Sequence, residues 1–216
     1  MKNQSNQIET VLGLFMANDG RLEVLLEHKE EEPYKGYWML PTSFVSTMET
    51  LEDNVSQLLK KYISSSHIEL QQNHTFSQLE RNPEERVIGV SFIGVVDTIT
   101  WQLNETLSSS ETKWFPVSSL PKLAYDHSEI IADYLHTLLL FVEKEQWLNK
   151  FYPADFTLPE IQHFLEMLFS CDIDRRNFRK HLLKEGLIEE TGYKEKGHVG
   201  RPAKLYRFKD KSEKLG

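Results

Sequence analysis

Two apolar stretches, "IETVLGLFMA" and "RLEVLLEHK", stand either side of "NDG" at residues 18–20. The tripeptide is a tight-turn signal, so residues 8–29 are predicted to form a β-hairpin. A polar loop, "EEEPYKGYW", follows, then a short extended segment ending near Val45. From about Thr50 to Ile63 the period changes. Leu51, Val55, Leu58, Leu59 and Tyr62 recur at helical spacing and predict an amphipathic helix with those residues on its buried face. "HIELQQNHTFSQL" and "RVIGVSFIGVVD" return to strand character, the second rich in Val, Ile and Phe. "TKWFPVSSLP" predicts a last short strand and turn. "SEIIADYLHTLLLFVEKEQW" predicts a long helix with Ile130, Ile131, Tyr134, Leu135 and Leu138 on one side. Strands around one helix, closed by a second, predict an α/β or α+β domain over residues 1–148.

The pattern then changes character, and residues 149–216 are predicted to form a second domain. "TLPE" at residues 157–160 fits a capping box, with Thr157 and Glu160 able to satisfy each other's backbone N–H and Pro159 tolerated in the first turn. Leu158, Ile161, Leu165 and Leu168 continue as a helical stripe. "DRRNFRKHLLKEG" predicts the next helix, with Asp174 as N-cap and Gly186 as the C-terminal stop. "LIEETGY" and "AKLYRF" are strand candidates joined by "KEKGHVGRP".

Charge divides along the same line. The whole chain carries −8, but residues 150–216 hold 14 of the 25 Lys and Arg against 11 of the 33 Asp and Glu, a net of +3, leaving −11 for residues 1–149. An acidic body with a basic tail suggests two modules with different partners. The 216 residues are 39% hydrophobic, enough for a real core. The longest apolar run, "LHTLLLFV", is too short to span a bilayer, and no signal-peptide pattern opens the chain, so a cytoplasmic protein without membrane partners is expected. The single cysteine, Cys171, excludes an internal disulfide framework and any multi-cysteine zinc site.

On a helical wheel the helix after Asp174 turns Phe178 and Leu182 one way. Arg176, Lys180 and Lys184 point the other, with Arg175, Asn177 and Arg179 also in its basic N-terminal half. Such a helix suits a DNA major groove. Arg reaches guanine O6 and N7, Asn pairs adenine, and Lys meets phosphate. The hairpin that follows has a basic tip, with Lys196, His198, Arg201 and Lys204 as candidate contacts. Helix, recognition helix and basic hairpin together form a winged helix-turn-helix plan. A small helical domain with a solvated basic face is the competing account.

The stretch from Leu40 to Ile63, "LPTSFVSTMETLEDNVSQLLKKYI", resembles the Nudix signature, G-x5-E-x7-R-E-U-x-E-E-x-G-U, in which glutamates on one helix face hold Mg²⁺ against a diphosphate. The frame aligns without a gap, yet its chemistry is gone. Ser43 stands at the first Gly and Glu49 at the first Glu. Gln57 replaces Arg, Leu58 the next Glu, Lys61 and Tyr62 the Glu pair, and Ser64 the second Gly. A lysine and two residues without carboxylates cannot hold Mg²⁺, so neither a metal site nor a catalytic residue is expected. Together with "YWMLPTSFV", "ERVIGVSFIGVV", "AYDHSEII", "DRRNFRKHLL" and "GRPAKLYRF", these residues resemble the Nudix-related transcriptional regulators, the NrtR family, over roughly residues 8–210.

The resemblance implies an α+β chain: an N-terminal Nudix-like α/β/α sandwich and a C-terminal winged helix-turn-helix. It further implies a homodimeric repressor on double-stranded operator DNA, no cofactor, and a small-molecule effector. That effector is ADP-ribose for many members, in control of NAD synthesis or salvage genes, and a pentose or other sugar for others. A Nudix hydrolase is the alternative. "TS" at residues 42–43 departs from the family's Gly–Gly and leaves the effector open. Trp38, Glu49, Arg81 and Arg86 are the candidate effector-binding residues. Trp38 could stack on a base or fill the core. The resemblance suggests that Arg81 or Arg86 faces a phosphate, against a surface pair with Glu84 or Glu85. Asp126 is expected to cap the long helix.

Overall fold

The computed structural model describes residues 6–18, 21–63, 68–96, 112–144, 152, 155–169, 172–184, 186–194 and 203–209, with the backbone alone for 139–144. The chain forms two compact units, Met1–Leu138 and Leu139–Gly216. The domain boundary expected between residues 148 and 149 lies outside the described residues. Among the described residues no helix is long and apolar enough to cross a membrane.

In the first unit β1 (Gln7–Asn18) and β2 (Arg21–His28) form the hairpin that the turn signal predicts, with Asn18 opposite Arg21. β3 (Trp38–Met39), β4 (Thr42–Phe44), β5 (Leu70–Phe76), β6 (Val87–Val95) and β7 (Thr112–Pro116) complete a seven-stranded mixed sheet. Its main path runs β3-β2-β1-β6-β5, while β4 pairs with β1 and β7 with β2. β1 and β6 run parallel, Gln7 opposite Val87 through Phe15 opposite Val95. Buried on both sides, the two strands read as near-continuous apolar runs rather than alternating ones.

The hairpin splays, and this opens the site. β2 pairs with the far end of β1, residues 15–18, whereas β4 pairs with the near end, residues 9–11. The chain from Leu40 to Thr50 therefore folds beside β1 and delivers α1 (Leu51–Tyr62) onto one sheet face. There Val55, Leu58, Leu59 and Tyr62 meet Leu12, Leu14, Leu25 and Phe92. α2 (His127–Lys144) serves the other face: the Tyr134 hydroxyl donates to the Val11 carbonyl, and its ring meets Phe15 edge-on at 5.8 Å.

The second unit contains α3 (Leu158–Phe169), α4 (Arg175–Lys184) and the β8 (Ile188–Lys194)/β9 (Lys204–Phe208) antiparallel ribbon. Phe156 bridges to Tyr206 as a short third member. Ile161, Leu165 and Leu168 of α3 and Leu182 of α4 supply its core, as the stripe predicts.

Candidate functional site

α1 starts where the sequence places it. Thr50 accepts from the Asp53 N–H, and the Asp53 carboxylate reaches back to the Thr50 N–H, a capping box of the Thr-x-x-acid type. Just inside the cap lies Asn54, only 4% exposed. Its amide nitrogen donates to Ser43 Oγ at 3.3 Å, to the Phe44 carbonyl at 3.0 Å and to Glu49 Oε1 at 3.1 Å. Its oxygen accepts from Thr10 Oγ1 at 2.5 Å. One side chain thus ties the loop to α1 and to β1.

Glu49, the surviving acidic position of the Nudix frame, is committed to the same network. Its carboxylate also accepts from the Ser46 N–H at 2.7 Å and from Gln57 Nε2 at 3.5 Å. The Ser46 N–H first, then the Asn54 amide, holds this carboxyl below the usual range.

The other frame positions have changed direction as well as chemistry. Leu58 is buried in the core, and so is most of Tyr62, four residues on, whose hydroxyl donates to Glu27 on β2. Burial first, then the Glu27 carboxylate, drives the Tyr62 phenol well above its ordinary pKa. Lys61 is exposed. A hard divalent cation requires several oxygen ligands. This face offers a leucine, an ammonium and a phenol already bonded, so it does not fit the Mg²⁺ of the Nudix reaction. Among the described residues no group of three or more His, Cys, Asp or Glu is arranged to hold a metal.

Trp38, Arg81 and Arg86 do not join Glu49. Trp38 stands opposite His28 and contacts Phe115, and Phe115 stands opposite Val24, itself paired with Phe15 beneath α2. Its ring therefore lies on the α2 side, at 4.7 Å from Phe115 and 5.2 Å from His28, away from α1.

The Arg81 expectation is corrected. Its side chain is 2% exposed; Nη1 donates to Glu9 at 2.7 Å, and Nε and Nη2 donate to Asp126 at 2.9 and 3.1 Å. Three of its N–H donors are spent on two internal carboxylates, neither of them Glu84 or Glu85, and burial withholds the rest from a phosphate in solution. Gly89 admits it: a Cβ there would lie 2.8 Å from Nη2. Asp126 precedes α2 as expected, and its carbonyl accepts the first helical bonds, but its carboxylate serves Arg81 rather than a cap. Arg86 is half-buried and donates to the Gln78 carbonyl.

His127, within "AYDHSEII", has a buried partner that its motif does not specify. It is 1% exposed, and its Nδ1 accepts from the Leu40 N–H at 2.9 Å, joining α2 to the start of the loop. Burial first, then the Arg81 charge, lowers its pKa to about 3.

In the second unit both predicted caps form. Thr157 N–H donates to Glu160 at 2.6 Å and Glu160 N–H to Thr157 Oγ1 at 3.4 Å. Asp174 accepts from the Asn177 N–H at 2.7 Å and starts α4. Gly186, at φ +66, lets the chain leave α4 in a left-handed turn closed from Leu187 N–H to the Leu182 carbonyl. Between the helices, Glu166 accepts from the Ile173 N–H and from Gln162, which also donates to the Ile173 carbonyl. The turn angle is thereby set by side chains of α3.

On α4, Leu182 is buried and Phe178 half-buried, while Arg175, Arg176, Asn177, Lys180 and Lys184 are exposed. Arg179 is half-buried, its Nε withdrawn from solvent and without a hydrogen-bond partner. Across the ribbon the exposed Lys204 ammonium meets Glu190 at 2.8 Å, and Arg207 likewise meets Glu189 at 2.6 Å. Lys196, His198 and Arg201 lie outside the described residues, as do Cys171 and Ser64.

Residues 150–208 match the NrtR DNA-binding winged helix domain. Over 202 residues, 91% of this chain and 80% of the relative, the sequence is 25% identical to the ADPR responsive transcriptional repressor NtrR of Acinetobacter baylyi. The crystal structure of Shewanella oneidensis NrtR complexed with a 27mer DNA superposes with a TM-score of 0.73 at 27% identity, covering 94% of this chain and 93% of that one. Over nearly its whole length the chain is similar to the NrtR regulators, and its second unit carries their winged helix domain.

The NrtR likeness covers both units, a Nudix-like sheet domain and a winged helix. The first also carries an enzyme likeness: 124 residues, 56% of this chain and 72% of the relative, are 33% identical to the ADP-ribose pyrophosphatase of Methanocaldococcus jannaschii. Asn54 is the residue at the centre of this site that no motif announces. It had a signal: three residues after Leu51 and four before Leu58, it is a polar residue set on an apolar helical stripe.

Proposed function

We propose that this protein is a cytoplasmic, homodimeric transcriptional repressor that reads operator DNA with α4 and its wing and senses ADP-ribose through a Nudix-like domain that does not cleave it. The observation that carries the reading is the outward presentation of Arg175, Arg176 and Asn177 on the first turn of α4. Leu182 and Phe178 anchor that helix in its own unit, on the side away from Arg176, Lys180 and Lys184. Arginine and asparagine so placed meet base edges, while Lys180 and Lys184, further along, meet the phosphates. A dimer sets two such helices in major grooves about 34 Å apart. The DNA-bound Shewanella oneidensis relative and the ADPR-responsive Acinetobacter baylyi relative support the same assignment.

Effector binding shifts the equilibrium between dimer arrangements only by as much as ADP-ribose prefers one of them. Control of NAD synthesis or salvage genes follows from an ADP-ribose signal. The test is fluorescence anisotropy on DNA from upstream of the protein's own and flanking genes, titrated with ADP-ribose, arabinose, xylose and ribose. ADP-ribose alone is expected to change affinity. A response to a pentose instead would keep the repressor and replace its signal; no specific DNA binding would overturn the reading.

The pyrophosphatase likeness favours a second reading, a Nudix hydrolase with an accessory domain. Its chemistry needs a cation to polarise the diphosphate and its attacking water. Leu58, Lys61 and Tyr62 supply none of the ligands, which argues against turnover. Purified protein incubated with ADP-ribose and Mg²⁺ is expected to release no AMP; turnover at an enzyme's rate would restore the hydrolase.

A further inference from the structure

Three oxygens converge on the Asn54 amide nitrogen: Ser43 Oγ at 3.3 Å, the Phe44 carbonyl at 3.0 Å and Glu49 Oε1 at 3.1 Å. A hydroxyl, a carbonyl and a carboxylate are the ligand types that a hard cation gathers. Here an NH₂ group that can donate only two hydrogens sits among them, held from behind by Thr10 on its own Oδ1. The side chain is buried and central. It links α1, the loop that runs from β4, and β1, the elements that a bridging ion would have to hold together in a cleft whose helix face has lost its carboxylates.

We propose that the Asn54 amide does the mechanical work of a divalent cation in this cleft, and that ligand recognition there is indifferent to divalent metal. Asn54 is a positioning residue: it holds residues 43–49 in place for a ligand without touching the diphosphate itself. The statement about ligand recognition rests on the reading of this domain as an ADP-ribose sensor; the statement about the loop does not.

The substitution Asn54→Asp separates this role from ordinary packing. Aspartate keeps the shape and the acceptor for Thr10. It replaces the donor with a second carboxylate oxygen aimed at Phe44 O and Glu49, so the network becomes repulsive unless a cation enters. Loop order is read by hydrogen exchange of residues 42–50 in full-length protein, in EDTA and then with Mn²⁺ as the probe. The wild type is expected to keep the same protection in both. Asn54→Asp is expected to lose at least about tenfold in protection in EDTA and to regain it with Mn²⁺, whereas Asn54→Ala loses it and Mn²⁺ does not help. Calorimetry with ADP-ribose is expected to return wild-type Kd values within about twofold of each other in EDTA and in Mg²⁺.

A wild-type loop that loosens in EDTA or tightens on Mn²⁺ would overturn the proposal, and this arm stands even if both variants fail to fold. An Asn54→Asp loop that is as protected as wild type without metal would overturn it too. Absence of ADP-ribose binding with and without metal would instead remove the sensor reading, while the exchange data still decide the role of Asn54.

Discussion

Arg81 and Arg176 carry the same guanidinium in opposite settings. In the first unit Arg81 is folded inward, 2% exposed, and divided between Glu9 and Asp126. In the second, Arg176 stands in solvent on the first turn of α4. An arginine in a family resemblance is thus no guide to function until its fork is accounted for. Where two carboxylates hold all three nitrogens of a buried fork the residue holds a fold together. Where its helix is anchored on the far side by Leu182, the fork is presented to whatever arrives.

The largest expected effect tests the inward half of that contrast. Arg81→Met keeps the side-chain length and strands Glu9 and Asp126 as largely buried carboxylates, 12% and 10% exposed, so it should cost about 3 kcal/mol in urea unfolding of the first unit. Survival of full stability would mean that Arg81 has another role. Next in size, Arg176→Ala should leave the unfolding free energy within about 0.5 kcal/mol of wild type. It should weaken operator binding by about 1–3 kcal/mol and relax specificity at the base it reads, as measured by anisotropy against operator and random DNA. If stability fell and DNA affinity did not, the contrast would be reversed.

Much of this was legible in the chain because it is local. The capping boxes at Thr50 and Thr157, the Asp174 cap, the stripes of α1 and α3 and the β1–β2 hairpin are all specified by residues within a few positions of each other. The partners of Arg81 are not local. They lie 72 and 45 residues away, on a strand and before a helix, and no periodicity links them. The face that Trp38 takes was not legible for a related reason: a two-residue strand has no alternation long enough to reveal it. Leu58 and Tyr62, by contrast, were on the predicted buried stripe, and the same parity that fills the core empties the metal position.

His127 offers a pH test of the inward cluster. The folded protein keeps its imidazole neutral, with a pKa near 3 against 6.5 when unfolded, so the unfolded chain takes up a proton first as the solution is acidified. The stability that the neutral imidazole contributes is whole above 6.5 and drains away between there and 3, with a slope of at most about 1.4 kcal/mol per pH unit. His127→Gln, which can still offer an acceptor toward the Leu40 N–H, should flatten that limb when unfolding is repeated across the range. An unchanged slope would assign the acid sensitivity to other groups.

The smallest effect sharpens the outward half. Lys180 and Lys204 are both exposed, but Lys204 meets Glu190 at 2.8 Å on a solvent-facing ribbon. Such a pair contributes about 0–1 kcal/mol to stability, and its carboxylate offsets the charge that a phosphate would see. Lys180→Ala should therefore lower the salt dependence of DNA binding by about one counterion, while Lys204→Ala changes it by less. Glu190→Gln discriminates between the causes. If Glu190 is what withholds Lys204 from DNA, removing its charge should strengthen binding to all sequences alike and steepen the salt slope. If neither changes, Lys204 lies beyond reach of the phosphates, and α4 is what the described residues offer to DNA.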